Sequence, residues 1–193
     1  MNKLELRRQA IHLLYGPTLV ILYSYKLIDT RILLGMIIGG AVASYLIKRQ
    51  KLTILAKILS FFEREHHMQQ FPGRGILFFT IGAYLSFLLF PVNIAYASIV
   101  MLSVGDAFTN IVGRHFGRIR TKLNPNKFIE GSIVGILLCI PVAYYFVPNA
   151  WAAVAASIVA MFLEMPNVKI AEWEIDDNLL IPLGAGFTLS LFM

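Results

Sequence analysis

The sequence predicts an all-α fold: a polytopic membrane bundle of about seven transmembrane helices, judged by apolar run length. Three observations carry this expectation. Hydrophobic residues make up 58% of the 193 positions and mean hydropathy is +0.70, well above the roughly half-apolar composition of soluble domains. Several apolar runs approach the ~20 residues that a helix needs to cross a bilayer. Lysine and arginine gather in alternate connecting segments, as topology signals do. The length suits a single integral-membrane domain, residues 1–193.

Residues 1–11 form a basic lead-in with Lys3, Arg7 and Arg8, where Leu4, Arg7, Arg8 and Ile11 share helical spacing. The first span covers about 12–28, with Pro17 near its start, and the second about 32–47. In the second, Gly35-x-x-x-Gly39 lets another helix approach closely. Residues 48–74 carry many charges, while Leu52, Leu55, Ile58, Leu59 and Phe62 recur at helical spacing. That pattern predicts an interfacial amphipathic helix over about 48–66. Phe71-Pro72-Gly73-Arg74-Gly75 is a turn signal. Further spans follow at about 76–90, 94–112, 129–147, 151–164 and 179–192. A basic loop, 113–128, and a polar, acidic segment, 165–178, separate the later ones.

Numbering the non-membrane segments alternately gives the orientation. Of the 17 lysines and arginines, only Lys26 and Arg31 fall on one side. The N-terminus is then cytoplasmic, and segments 48–74, 113–128 and 165–178 share its face. The net charge of +6 is spread over these flanking loops, which assigns it to topology and phosphate attraction rather than nucleic acid. The single cysteine, Cys139, excludes an intrachain disulfide and a multi-cysteine metal site. No cleavable signal peptide is expected, because the first apolar run lacks an A-x-A-like end and more spans follow. No P-loop motif and no Ser-His-Asp motif occurs. His66-His67 lacks a third ligand at metal spacing.

The chemistry concentrates between Ser103 and Gly135. Asp106, Asn110, Gly113 and Gly117 lie four, three and four residues apart, so they share one helical face. A carboxylate within a membrane helix is a functional-site hypothesis by default. With an amide one turn away it suits Mg2+, which is held by one or two carboxylates plus substrate phosphates. The same glycines also suit plain helix packing. Arg114, Arg118, Arg120, Lys122 and Lys127 can bind a polyphosphate or simply face anionic lipid. Lys127-Phe128-Ile129-Glu130-Gly131-Ser132 opens the next span, where free backbone N–H groups attract anions. Glu172, Glu174, Asp176, Asp177 and Asn178 precede the last span. They read equally as a metal site or, for Asp177 and Asn178, as a helix cap.

Gly105-Asp106-Ala107, Asn110, Gly113, Gly117, Lys127 and Glu130-Gly131-Ser132 together resemble the CTP-dependent lipid kinase family. That family includes dolichol kinase, phytol kinase and the CTP-dependent diacylglycerol kinase, and is related to the phosphatidate cytidylyltransferases. Arg7-Arg8-x-x-x-His12, Phe71-Pro72-Gly73-Arg74-Gly75-Ile76-Leu77-Phe78-Phe79 and Asp176-Asp177-Asn178-Leu179-x-x-Pro182 extend the resemblance over most of the chain. One departure stands out. Phe128 occupies the place of a frequent Ser or Thr, so a phosphate contact from that hydroxyl is missing.

The resemblance implies transfer of the γ-phosphoryl group of CTP to the hydroxyl of a membrane isoprenoid alcohol, dolichol-, polyprenol- or phytol-like, or a related lipid. It implies Mg2+ on Asp106 and Asp177, helped by Asn110 and Asn178. Lys127 and Arg7 or Arg8 would neutralise phosphates. Gly113, Gly117, Gly131 and Ser132 would admit the nucleotide to backbone amides, and Glu130 would orient a ligand or the lysine. Asp106 or Asp177 would serve as general base. The active site would face the cytoplasm, and a homo-oligomer is compatible with this reading. A CTP-dependent cytidylyltransferase making a CDP-lipid is the alternative. The Glu-Gly-Ser and Asp-Asp-Asn endings favour the kinase. A non-enzymatic transporter or lipid-binding protein is a further alternative, against which the lack of an internal repeat counts.

Overall fold

The computed structural model describes residues 3–166, 168–170 and 173–193. The helices are α1 (Lys3–Ser24), α2 (Thr30–Lys48), α3 (Thr53–Ser60), α4 (Glu65–Gln70), α5 (Arg74–Leu89), α6 (Val92–Phe116), α7 (Ile129–Phe146), α8 (Ala150–Glu164) and α9 (Asp177–Ser190). The expected helical fold is present. Its one addition is a minute antiparallel hairpin between α8 and α9, β1 (Lys169–Ile170) and β2 (Trp173–Glu174).

Helix boundaries follow local chemistry. Asp29 caps α2 by accepting the Ile32 N–H at 2.9 Å, and Asn149 caps α8 through the Ala152 N–H at 3.2 Å. Asp176, rather than Asp177 or Asn178, caps α9, accepting the Asn178 N–H at 3.2 Å. The basic lead-in and the first span are one continuous helix, α1.

The helix expected over 48–66 is instead broken into α3 and α4. Tertiary bonds explain the break. Glu63 accepts the Gly73 N–H at 2.6 Å, and Arg64 pairs with Glu5 at 3.0 Å. These contacts hold the chain extended at Arg64, the N-cap of α4. No residue of α3 is buried.

Helix α6 is the axis of the bundle and packs against α1, α5, α7, α8 and α9. Ile94, Ala97, Ile99, Met101 and Leu102 from this helix are completely buried. At one end, Tyr23 stacks on Phe87 at 3.8 Å, and Tyr96 meets both rings edge-on. Helix α2 packs on α5 and leaves Leu34, Met36, Ile38 and Val42 exposed. Uncovered apolar faces of this extent mark contact with lipid or another apolar partner. Among the described residues, three helices are long and apolar enough to cross a membrane: α2, α6 and α7. Helices α5 and α8 are apolar but shorter.

Candidate functional site

At the end of the bundle opposite the Tyr23 cluster, the N-termini of α1, α5 and α9 meet the C-termini of α6 and α8. They surround a cavity of about 380 Å3. Segments 48–74, 113–128 and 165–178 all contribute residues to it.

Lys127 is the centre of the cavity's charge. The loop that carries it is a tight hairpin, which fixes the side chain. Thr121 N–H donates to the Lys127 carbonyl at 2.9 Å, Lys127 N–H to the Asn124 carbonyl at 3.0 Å, and Ile129 N–H to the Ile119 carbonyl at 2.9 Å. From this base the Lys127 ammonium pairs with Glu164, the last residue of α8. It also lies 3.7 Å from Asp106 on α6 and 3.9 Å from Asp177 at the start of α9. Asn110 Oδ1 is 3.5 Å away. Burial alone would lower the lysine's pKa. Glu164, Asp106 and Asp177 together outweigh it and hold the ammonium above the ordinary lysine range. The three carboxylates thus favour the charged form of Lys127.

Around this centre neighbours hold two of the acids, Asp106 and Asp176. Asn110 Nδ2 donates to the Asp106 side chain at 2.8 Å, closing the one-turn pair on α6. His12 Nε2 approaches the other Asp106 oxygen at 3.4 Å. Arg74 Nε donates to Asp176 at 2.9 Å, and Asn178 Nδ2 donates to Asp176 at 2.6 Å. A second cluster lies on the same cavity. Glu5 accepts from Arg8 at 3.1 Å and Arg64 at 3.0 Å, with Arg114 at 3.7 Å.

The structure brings together Asp106, Asn110, Lys127, Asp177, Asn178 and Arg8 as cavity-lining residues. It places the remaining candidates elsewhere. Glu130 accepts the backbone N–H groups of Arg118 at 2.9 Å and Ile119 at 3.1 Å, so it fastens the loop from outside the cavity. Gly131 lies against α6: a Cβ there would sit 3.1 Å from both Gly113 Cα and Gly113 N. Gly113 and Gly117 face Phe128. Ser132 is buried and donates to the Phe128 carbonyl at 3.4 Å. The nucleotide role expected for this glycine-serine set meets a simpler one, close packing of α6 on α7. Arg7 stacks on Phe61, 3.6 Å from the ring centroid, instead of lining the cavity. Of the five basic loop residues, only Arg114 and Lys127 reach it. Glu172 and the Glu174 side chain lie outside the described residues.

Sequence reasoning missed Glu164, Glu5 and Arg64 as site residues. Glu164 carried a signal: it is the one acid of a 15-residue apolar helix, and acids at such positions face polar partners. Glu5 and Arg64 carried none, since their partners are distant in sequence.

The donor set suits a hard cation. Among the described residues no three His, Cys, Asp or Glu side chains form a ready metal cage. Magnesium, however, needs only one or two carboxylates when substrate phosphates complete its shell. Asn178 Oδ1 and Glu164 Oε2 are buried acceptor oxygens with no hydrogen-bond partner among the described residues, in residues that line the cavity. They leave unmet demand for a donor or a cation.

No family model and no solved structure matches the chain. Curated relatives do. The chain is 29% identical over 135 residues to the CTP-dependent diacylglycerol kinase 1 of Schizosaccharomyces pombe, covering 62% of this chain and 60% of that protein. It is 30% identical over 129 residues to a probable chloroplastic phytol kinase 1 of Glycine max, covering 57% and 41%. It is 34% identical over 109 residues to the chloroplastic farnesol kinase of Arabidopsis thaliana, covering 50% and 36%. The matches thus span between about a third and three fifths of these relatives' lengths. These relatives are the same group of lipid kinases that the motifs resemble.

Proposed function

We propose, from its likeness to these lipid kinases, that the protein transfers the γ-phosphoryl group of CTP to the hydroxyl of a membrane lipid alcohol. The observation that carries this reading is the Lys127 centre. One ammonium is held by carboxylates from α6, α8 and α9 on a cavity that also carries arginines. Phosphoryl transfer is catalysed mainly by positioning and by neutralising the charge of the transferring group. A fixed cation among acids that can release it to a polyphosphate serves both needs.

In this reaction the acceptor oxygen forms a bond to the γ-phosphorus, the bridge to the β-phosphate breaks, and CDP leaves. The hydroxyl proton passes to Asp106 or Asp177. Lys127, with Arg8, binds and neutralises phosphate oxygens. Asn110 orients Asp106 through the bond at 2.8 Å. Asp106 and Asp177, with Asn110 and Asn178, would hold Mg2+. When bound, that ion draws charge from the phosphate oxygens.

The acceptor we favour is an isoprenoid alcohol, polyprenol-, dolichol- or phytol-like, with diacylglycerol the related lipid to test beside it. Ile11, Tyr15, Ile76 and Phe79 give the cavity an apolar wall beside the polar centre. Such a wall suits a lipid whose head must reach a charged site. We further read the chain as crossing the membrane about seven times, with its N-terminus and this cavity on the cytoplasmic side. Purified protein incubated with a panel of nucleotides and lipid alcohols, with products identified by mass, tests the reading. CDP plus a phosphorylated lipid is expected. Pyrophosphate plus a CDP-lipid would replace it with a cytidylyltransferase, and no product with any pair would remove it.

A further inference from the structure

We infer that Glu5 is a positioning residue for the nucleotide, gathering Arg8, Arg64 and Arg114 into one cationic wall that receives the triphosphate. The inference rests on the CTP-dependent reading above. Glu5 lies in the lead-in turn of α1, outside every motif that carries the family resemblance, and is only 5% exposed. Its oxygens accept from Arg8 at 3.1 Å, Arg64 at 3.0 Å and Gln9 at 3.1 Å, and Arg114 stands at 3.7 Å. A structural ion pair needs one cation. Here three guanidiniums, from α1, from the turn before α4 and from the last turn of α6, converge on one carboxylate. The excess of positive charge is what a polyphosphate neutralises.

The geometry also leaves the arginines competent to bind. Arg64 and Arg114 each reach Glu5 through one terminal nitrogen. A guanidinium has five donors in a rigid fork, matched to two oxygens of a phosphate. All three arginine side chains are partly exposed, and all line the cavity that Lys127 also lines. Without an anion between them, three like charges would repel and turn to solvent. Glu5 holds them together before the nucleotide arrives. Nearby, Gln9 is 3% exposed and its Oε1 has no hydrogen-bond partner among the described residues.

The test uses the full chain in detergent micelles. Steady-state kinetics give KM for CTP and kcat, and thermal unfolding with inorganic tripolyphosphate reports polyphosphate binding without any lipid. Glu5→Gln should raise KM for CTP about tenfold, a loss of roughly one charge-assisted contact, with kcat at saturating CTP changed less than about twofold. Stabilisation by tripolyphosphate, present in the wild type, should disappear, and Glu5→Asp should restore part of both. Arg64→Gln leaves the Glu5–Arg8 pair intact and should raise KM similarly, which keeps the test open if Glu5→Gln does not fold. Wild-type KM and wild-type tripolyphosphate stabilisation in Glu5→Gln or in Arg64→Gln would overturn the inference. So would a wild type that tripolyphosphate does not stabilise. Glu5-dependent tripolyphosphate binding without phosphoryl transfer from CTP would remove the kinase reading, and with it the nucleotide role, and leave the Glu5-gathered arginine wall as a polyphosphate site.

Discussion

The Lys127 ammonium is ion-paired to the Glu164 carboxylate, which ends α8 and is 1% exposed. A carboxylate so far from water is stable as an anion only beside a cation. The pair therefore ties the loop before α7 to the end of α8, and both to α6 and α9 through Asp106 and Asp177.

Removing one side of this centre should cost stability out of proportion to its size. Lys127→Met leaves three acids without the ammonium they face, and should cost about 3–5 kcal/mol, the usual penalty for breaking a buried pair. Adding Glu164→Gln to Lys127→Met should recover part of that loss, because the most buried charge is then gone. Thermal unfolding of the two single variants and the double variant in one detergent measures the coupling. Strict additivity would show that the pair does not interact.

Activity should respond differently from stability. Asp106→Asn keeps shape and should lower CTP-dependent lipid phosphorylation by about 10²–10³-fold, the scale of losing one preorganised electrostatic group. Lys127→Ala should lower it at least as much. Full activity in both variants would remove these residues from the site.

Acid should weaken the arginine cluster in a defined window. Burial alone would raise the Glu5 pKa, but Arg8, Arg64 and Arg114 bring it down to about 2. Its folded-state pKa lies below its ordinary value of 4.5, so the stabilisation is fully present above that value. It is lost as pH falls from 4.5 towards about 2. The difference in unfolding temperature between the wild type and Glu5→Gln should narrow across that range, followed by scanning calorimetry. A difference that stays constant down to the acid limit would contradict the assigned contacts.

Glycine substitutions should separate packing from ligand binding. Gly131→Ala places a methyl group against the α6 backbone near Gly113 and Thr109, and should destabilise by ~1–3 kcal/mol as overpacking does. Gly35→Ala meets nothing within 4 Å and should be neutral or slightly stabilising. Unfolding temperatures check both. A Gly131→Ala protein of full stability that has lost CTP binding would restore the nucleotide role expected from the motif.

The apolar runs set the helices and their order, because burial of a long apolar segment depends on composition within the segment. The face shared by Asp106 and Asn110 was equally legible, since helical geometry fixes which residues lie one turn apart. The folding of α3 and α4 was not, because the contacts that break the helix come from Glu5 and Gly73, outside it. The same reason explains why the contacts of Glu130 with the loop backbone and of Gly131 with α6 were not legible. It also explains why Glu164 and Arg64 emerged as site residues. Sequence alone determined which charges occur near the ends of apolar helices. Only the packing of α1, α8 and α9 around α6 decided which of them meet, since a buried charge takes its partner from whichever chain segment lies closest in space.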